Sequence, residues 1–204
     1  NPFQENTYIV HDDSGECIIF DPGCYDKAER EALQTFFEDN RLTPVRLINT
    51  HCHIDHVFGN RFVSETWDLP LEMHKGEVPV LEFSVQAAQM YGLVYDPSPE
   101  PGRFIEEGEE LTFGNTTFRA IFTPGHSPAS LSFYFPEGNF LIAGDVLFHG
   151  SIGRTDLPGG DYDTLIRSIR EKLFPLGDEV RVFPGHGQDT SIGYERLTNP
   201  FVKD

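Results

Sequence analysis

Residues 50–60 read THCHIDHVFGN and place histidines and an aspartate in the spacing HxHxDH. The preceding stretch, 45–49, has the apolar character of a β-strand. If the chain leaves that strand still extended, His51, His53 and Asp55 share one face. Cys52 then points the opposite way, and a turn into a helix brings His56 beside Asp55. Imidazole with carboxylate suits zinc, iron or manganese, so the stretch predicts a metal-binding loop at the end of a strand.

Further candidate ligands follow other predicted strands. The tripeptide Pro-Gly-His occurs twice, and each copy follows an apolar run, so that each histidine stands on a turn at a strand end. An aspartate follows a third apolar run. Side chains at several strand ends converge on one edge of a sheet, where α/β folds commonly place their sites. These candidates are His126 after 116–122, Asp145 after 140–143, and His186 after 180–183.

Strand-like runs alternate with helical patterns along the chain, which is typical of a layered α/β domain. Helices are predicted where apolar residues recur at helical spacing, over 26–40, 77–91 and 162–174. Residues 96–102, DPSPEPG, carry three prolines and read as a surface connector, with a lid as the alternative. The predicted strands are 6–10, 17–20, 45–49, 116–122, 131–135, 140–143 and 180–183.

Charge and cysteine content limit the partners. The 204 residues carry a formal charge of -18, which repels nucleic-acid phosphate and anionic lipid. No apolar run is long enough to span a bilayer. The three cysteines form no CxxC pair, which favours a reducing compartment. We therefore expect a soluble, cytoplasmic protein whose partner is neither nucleic acid nor membrane.

In this order, the motifs resemble those of the metallo-β-lactamase superfamily. HxHxDH is followed by TPGHS at 123–127, AGD at 143–145 and PGHG at 184–187. Two longer stretches resemble the short bacterial glyoxalase II-like enzymes, which hydrolyse hydroxyacylglutathione. They are DVLFHGSIGRTDLPGGD at 145–161 and IGYERLTNPFV at 192–202.

The resemblance implies a fold and a metal centre. The fold is an αββα sandwich of the α/β class, with two mixed sheets flanked by helices. It forms a single domain over 1–204, without the C-terminal helical extension of longer glyoxalase II enzymes. Two divalent metal ions are expected, zinc first, with iron and manganese as alternatives. By position, His51, His53 and His126 hold the first metal, Asp55, His56 and His186 hold the second, and Asp145 bridges them.

The implied reaction is thioester hydrolysis of acyl-glutathione type by a metal-bound hydroxide. A thiolate, with a conjugate pKa of about 8.5, leaves without a general acid. Asp145 and Asp55 are the catalytic candidates, Asp55 as the nearest proton shuttle. Two metals, two aspartates and a hydroxide leave a local positive charge, so a small anionic thioester is the expected partner. Arg154 is a candidate clamp for a substrate carboxylate, or forms an ion pair with Asp156 or Asp161.

Other functions stay open. A mononuclear iron persulfide dioxygenase would use His126, Asp145 and one histidine of HxH, although the intact PGHG favours two metals. A lactonase and a β-lactamase also remain alternatives, because both would use the same metal-bound hydroxide as nucleophile. A non-catalytic, metal-stabilised binding domain is disfavoured because seven candidate ligands exceed the four of a closed structural site. Asp21, in the sequence DPG, is either turn chemistry or, by the resemblance, a partner that orients a histidine.

Overall fold

The structure is a computed structural model that describes residues 1–203. The chain divides into two compact units. Unit 1 comprises Asn1–Ile105 with Thr112–Thr116, and unit 2 comprises Glu106–Leu111 with the chain from Thr117 onwards. The single domain over 1–204 stays a prediction, and Asp204 lies outside the described residues.

Unit 1 is built on a five-stranded mixed sheet. Its order is β1-β2-β3-β4-β5, with β1 antiparallel to β2 and the other neighbouring pairs parallel. Helices follow β2, β3 and β4, as parallel connections require. The elements are β1 Tyr8–His11, β2 Glu16–Phe20, α1 Lys27–Asn40, β3 Thr43–Ile48, α2 Ile54–Val57, α3 Asn60–Trp67, β4 Leu71–Met73, a 3-10 turn Lys75–Glu77, α4 Val78–Tyr91 and β5 Pro101–Phe104.

Local chemistry explains the two long helices of unit 1. The Asp26 side chain accepts a hydrogen bond from the Glu29 backbone and caps α1. Pro79 lies in the first turn of α4, where its missing N–H costs nothing, and Gly92 ends the helix in the left-handed conformation. The predicted helices 26–40 and 77–91 are therefore confirmed to within a residue.

The core of unit 1 lies between its sheet and its helices. Ile19 and Leu47 of the parallel strands are fully buried, and they share one cluster with Phe37 of α1, Val63 of α3 and Leu81 of α4. Burial of this apolar surface fixes the helices on the sheet and so fixes the loops at the strand ends.

Unit 2 is built on a six-stranded mixed sheet in the order β13-β12-β9-β8-β7-β6, although residues 112–113 of the edge strand β6 and Thr116 of β7 are assigned to unit 1. Antiparallel pairs join β7 to β8 and β8 to β9, while β9 and β12 are parallel, so β7, β9 and β12 all run in one direction. The elements are β6 Glu110–Phe113, β7 Thr116–Phe122, β8 Leu131–Phe135, β9 Phe140–Gly144, a hairpin of β10 Leu147–Phe148 and β11 Ser151–Ile152, α5 Tyr162–Arg167, β12 Arg181–Pro184, β13 Thr190–Ser191 and α6 Ile192–Thr198.

The predicted helix 162–174 is interrupted. It begins as α5, continues as a π-helical segment over Ser168–Leu173, and ends as a 3-10 turn over Phe174–Leu176. Where the π segment begins, Ser168 Oγ donates a hydrogen bond to the Pro124 carbonyl at 2.7 Å. Leu165, Ile169 and Leu173 nevertheless remain fully buried against the sheet.

The prediction of a surface connector over residues 96–102 is partly wrong. Its last residues enter β5, where Pro101 pairs with Leu71 of β4. Proline is tolerated there because β5 is an edge strand.

Over residues 1–203, no helix has the length and apolar content needed to cross a membrane.

Candidate metal centre

Two parallel strands of unit 1 deliver polar residues to one edge of its sheet. Asp21 follows β2 directly, Asn49 follows β3, and His51 comes two residues later. Because β2 and β3 run in the same direction, their carboxyl ends meet at this edge. The edge predicted from the sequence is therefore the place where the HxHxDH loop begins.

The HxHxDH residues lie close together within unit 1. The ring centroids of His51 and His53 are 4.9 Å apart, and those of His51 and His56 are 4.1 Å apart. His56 Nε2 lies 3.7 Å from Asp55 Oδ2, so the predicted pairing of these two residues is confirmed. The extended geometry predicted for the whole loop is wrong, because helix α2 begins at Ile54 and Asp55 lies on its first turn.

Asp21 orients His56. It adopts a left-handed backbone conformation, φ 46°, which is strained for a residue with a side chain. Its Oδ1 accepts the Thr50 N–H at 2.7 Å, while its Oδ2 accepts the Thr50 hydroxyl at 2.6 Å and lies 3.2 Å from His56 Nδ1. A carboxylate offers no proton, so Nδ1 donates and Nε2 carries the lone pair. The orienting role that the resemblance implies for Asp21 is thus present in the structure.

Thr50 fixes the tautomer of His51 in a similar way. The Thr50 hydroxyl proton is used on Asp21, and its oxygen lies 3.1 Å from His51 Nδ1. That oxygen therefore accepts from Nδ1–H, which leaves the lone pair of His51 on Nε2. Both fully buried histidines consequently present the same ring nitrogen as a ligand.

Two glutamates of this region, the fully buried Glu77 and the half-buried Glu5, were missed by sequence reasoning. Glu77 is fully buried and accepts the Cys52 N–H at 2.9 Å, which holds the loop between the two HxH histidines. Burial raises the pKa of the Glu5 carboxyl; His56 lowers it, and the neighbouring carboxylates of Asp21 and Asp55 raise it. Nothing in the local sequence of either glutamate indicates its position, because each reaches the loop only through the tertiary fold.

Unit 2 brings together its own three candidates. His126, Asp145 and His186 follow β7, β9 and β12, which run in one direction and end at one edge of the sheet. His126 Nε2 lies 3.5 Å from Asp145 Oδ2, and His186 Nε2 lies 3.5 Å from the same oxygen. One carboxylate oxygen therefore stands next to the Nε2 atoms of two histidines.

The tautomer of His126 is set by the backbone. Its Nδ1 lies 2.7 Å from the Arg154 carbonyl oxygen, which can only accept, so Nδ1 donates and Nε2 carries the lone pair. The loop reaches this position because Gly153 has no side chain. A Cβ at Gly153 would lie 1.9 Å from the Asp145 carbonyl oxygen and 3.1 Å from His126 Cβ.

The side chain of Arg154 forms the ion pair predicted as one of its two roles. Its Nε and one terminal nitrogen each lie 2.7 Å from a carboxylate oxygen of Asp156. These hydrogen bonds lower the pKa of Asp156 to about 2. Both side chains are more than half exposed, so the pair contributes little to stability.

The cysteines are not ligand candidates. All three are free thiols and buried. Burial raises the pKa of Cys17 and of Cys24 to about 12, and raises that of Cys52 well above its usual range. Cys52 Sγ packs 3.7 Å from Met73 Sδ, in agreement with its predicted packing role.

The donor set fits a divalent transition metal. Imidazole Nε2 lone pairs with carboxylate oxygens are the ligands of catalytic zinc and non-haem iron sites. In His51, His56 and His126 the other ring nitrogen is engaged by a hydroxyl, a carboxylate and a carbonyl, the usual outer partners of ligating histidines. His51, His56 and Asp21 also form one group in which the potential ligand atoms lie within 4.8 Å of one another.

Comparison with known proteins decides the family. A sequence model described as the metallo-β-lactamase superfamily matches residues 1–186. The chain belongs to the metallo-β-lactamase superfamily. The predicted superfamily fold, with two mixed sheets and flanking helices, is confirmed.

Two curated relatives match this superfamily member over nearly its whole length. YqgX of Bacillus subtilis, a probable metallo-hydrolase, is 38% identical over 98% of this chain and 93% of that protein. The hydroxyacylglutathione hydrolase GloC of Haemophilus influenzae is also 38% identical, with the same two coverages, 98% and 93%. These similarities support a metal-dependent hydrolase.

Two solved structures have the same superfamily fold. The B3 metallo-β-lactamase BLEG-1 matches with a TM-score of 0.92 and 38% identity, over 100% of this chain and 97% of that chain. TTHA1623 in a di-iron-bound form matches with a TM-score of 0.89 and 41% identity, over 98% and 96%. Together with the His/Asp clusters, this neighbour supports a dinuclear site and keeps iron beside zinc as a candidate metal.

Proposed function

We propose that this protein is a metal-dependent hydrolase of acyl-glutathione-type thioesters. Membership of the superfamily and the similarity to GloC support a hydrolase with this substrate class. The observation that carries the proposal is the uniform presentation of Nε2 by His51, His56 and His126. Each of them has its Nδ1 engaged by a side chain or a carbonyl group.

The proposed ligands are the seven candidates of the sequence motifs. His51, His53 and His126 would hold one divalent ion, and Asp55, His56 and His186 would hold the other. Asp145 would contribute its carboxylate to both ions, and its position 3.5 Å from both His126 Nε2 and His186 Nε2 supports that role. Zinc is the first expectation for both ions, with iron and manganese as alternatives.

The residues of the chain orient the reaction. When bound, the two ions supply a hydroxide nucleophile at neutral pH and polarise the thioester carbonyl. Asp21 and Thr50 hold His56 and His51 in place by hydrogen bonds, so the ligands need not reorganise during turnover. Asp55 would accept and return a proton where a step needs one. A thiolate leaving group departs without further help.

Arg154 is proposed to bind a carboxylate of the anionic substrate. Its side chain is 58% exposed, and its guanidinium group already binds the Asp156 carboxylate through two hydrogen bonds. A substrate carboxylate would exchange for Asp156 with the same geometry. Replacing Arg154 with alanine should raise KM and leave kcat largely unchanged, whereas R181A, which breaks the exposed pair of Arg181 with Asp189, should change neither.

Steady-state hydrolysis of S-D-lactoylglutathione by the metal-loaded protein tests the function. We expect turnover that falls about 100-fold in Asp145→Asn, while the free energy of unfolding of the metal-free protein stays close to that of the parent. Asp163→Asn is the matched control, because Asp163 is exposed on α5. No hydrolysis above the metal-free level would overturn the proposal.

Metal analysis and oxygen uptake separate the remaining alternatives. Two metals per chain with thioester turnover support the hydrolase. About one iron per chain, with oxygen consumption on glutathione persulfide, would replace it by the dioxygenase. Turnover of a lactone or a β-lactam in place of the thioester would keep the nucleophile and change the substrate class. Loss of folding in Asp145→Asn, without any turnover by the parent protein, would favour a structural metal.

A further inference from the structure

A row of hydrogen-bonded polar side chains in unit 1 leads from the loop before β5 to His56. Asn49, Asn60 and His56 in this row have no exposed surface, and Asp21 is 2% exposed. Apart from Asp21 and His56, its members are neither proposed ligands nor partners of a ligand's ring nitrogen. We call it the buried polar row; in spatial order it is Tyr95, Ser98, Asn60, Asn49, Asp21 and His56.

The inner part of the row holds the backbone and the partner of His56 together. Asn49 Nδ2 donates to the His56 carbonyl at 3.2 Å and to Asp21 Oδ1 at 3.4 Å. Asn60 Nδ2 donates to Asn49 Oδ1 at 2.7 Å. The amide of Asn49 is thereby oriented by Asn60, because only this orientation gives both of its N–H groups an acceptor.

The outer part of the row, Tyr95 and Ser98, lies in the loop before β5. The second N–H of Asn60 donates to Ser98 Oγ at 3.0 Å. Ser98 Oγ also lies 2.8 Å from the Tyr95 hydroxyl. The Ser98 N–H donates to that hydroxyl at 3.1 Å. Both donors of Asn60 are therefore in use, one toward the loop and one toward the metal-binding motif.

The loop is anchored by contacts that do not belong to the row. The Val94 N–H donates to the Tyr25 hydroxyl at 3.1 Å, and the Pro97 carbonyl accepts from Arg61 Nε at 2.7 Å. The Tyr95 ring lies edge-on to Phe58, with centroids 6.2 Å apart. Ser98 is thus presented to Asn60 from a fixed segment of backbone.

Asp21 needs such support. Its backbone is in the left-handed region, where a non-glycine residue is strained, so the carboxylate stays in place only if its surroundings hold it. Thr50 provides part of that support, and Asn49 provides the rest by joining Asp21 Oδ1 to the His56 backbone. Loss of one member leaves a buried donor or acceptor of its neighbour unsatisfied, so each member depends on the next.

We propose that Asn60, Ser98 and Tyr95 are positioning residues that hold His56 in its metal-binding orientation through Asn49 and Asp21. The loop before β5 then contributes to metal retention although it supplies no ligand. This inference rests on the proposed role of His56 as a metal ligand.

Ser98→Ala is the mildest test. It removes the acceptor of Asn60 and leaves the hydrogen bond between Asn60 and Asn49 in place. In competition with a chelator, the zinc affinity of this variant should be at least about 3-fold lower than that of the parent. Asn60→Asp keeps the size but removes both donors, and should weaken zinc about 10-fold. The control is Ser64→Ala on the same helix as Asn60, whose hydroxyl donates to the Leu69 carbonyl outside the row.

Two tyrosine variants distinguish the role of the buried polar row from that of the loop as a whole. Tyr25→Phe and Tyr95→Phe each remove a hydroxyl that binds residues 94–98, but only Tyr95 belongs to the row. We expect weaker zinc binding in Tyr95→Phe and parent-like binding in Tyr25→Phe. In the metal-free protein, imidazole 15N spectra of Asn60→Asp should show His56 losing its pure Nδ1–H form, a signal that loss of stability alone would not produce.

The outcomes are distinguishable. If His56→Ala keeps full zinc content and affinity, the ligand assignment fails, and with it the proposed function. If His56→Ala loses one zinc while Ser98→Ala and Tyr95→Phe match Ser64→Ala and Tyr25→Phe, only the positioning role is overturned. Should Asn60→Asp fail to fold, Ser98→Ala and Tyr95→Phe still decide the question.

Discussion

Asp21 Oδ2 lies 3.2 Å from His56 Nδ1, although 35 residues separate the two in sequence. The contact directs the lone pair of His56 to Nε2, which faces the Asp55 carboxylate at 3.7 Å. It joins the end of β2 to helix α2, and therefore couples the sheet of unit 1 to the histidine motif.

Asp21→Asn should weaken metal binding. An amide offers only one acceptor oxygen, so either the Thr50 backbone or His56 Nδ1 would face an N–H group. We expect about 10- to 100-fold weaker zinc binding, measured by chelator competition. Asp26→Asn is the control, because it removes the same charge nearby while asparagine still caps α1. Equal affinities in the two variants would contradict the orienting role.

Gly153→Ala should disturb the ligands of unit 2. Its Cβ would lie 1.9 Å from the Asp145 carbonyl oxygen, so the Asp145 backbone or the loop must move. A displacement of about 1 Å can cost about 100-fold in rate, and we expect a loss of that order in thioester hydrolysis. Gly108→Ala is a stringent control: its Cβ would meet open space but its positive φ adds backbone strain, and we expect parent-like turnover there. Parent-like turnover in Gly153→Ala would show that the close approach has no consequence.

Glu195→Gln should destabilise the protein. The fully buried Glu195 carboxylate accepts hydrogen bonds from the Gly150 N–H, Thr190 Oγ1 and Asn199 Nδ2. A glutamine would turn an N–H toward one of these donors, at a cost of about 2–3 kcal/mol in the free energy of unfolding. Urea unfolding measures it, with the exposed Glu137→Gln as control. A loss of unfolding free energy in Glu195→Gln that is no larger than the loss in Glu137→Gln would refute the prediction.

Asp12 should stabilise the fold in a pH-dependent way. The Ser14 hydroxyl is the main cause that lowers the pKa of Asp12 to about 2, and the Ser14 and Asn115 backbones and the Thr116 hydroxyl add to it. Because the folded pKa lies below the unfolded one, the stabilisation is complete above about pH 4.5 and is lost as the pH falls to about 2.

The difference in free energy of unfolding between the parent and Asp12→Asn should therefore shrink over that range. Asp13→Asn removes the same charge from the neighbouring residue and controls for net charge. A difference that stays constant from about pH 5 to about pH 2 would contradict the prediction.

Elements with local signals were predicted well, and elements that depend on neighbours were not. Helices α1 and α4 carry their own caps at Asp26 and Gly92, so their boundaries are visible in the sequence. Strand β4 has three residues and β5 contains Pro101, and both are stabilised by pairing with strands distant in sequence. The interruption after α5 likewise involves Ser168 and a carbonyl 44 residues away.

The candidate site divides in the same manner. The ligand types and the grouping of His51, His53, Asp55 and His56 followed from one short motif, because neighbours in sequence cannot be far apart in space. The hydrogen-bond partners that give each histidine its tautomer could not be predicted from spacing, since the Arg154 carbonyl is 28 residues from His126. Asn60 lies at the end of the stretch 50–60 but outside HxHxDH, and Glu77 belongs to no motif, so the role of neither could be predicted.

By itself, the sequence determined the class of fold, the strand ends that bear ligands and the chemistry of those ligands, because periodicity and side-chain type are local properties. Only the tertiary structure decided which nitrogen each histidine presents, that Asp21 supports His56, and that Ser98 connects to that pair through two asparagines. Those features depend on hydrogen bonds between distant segments, and such bonds exist only once burial of the two hydrophobic cores has fixed the strand ends.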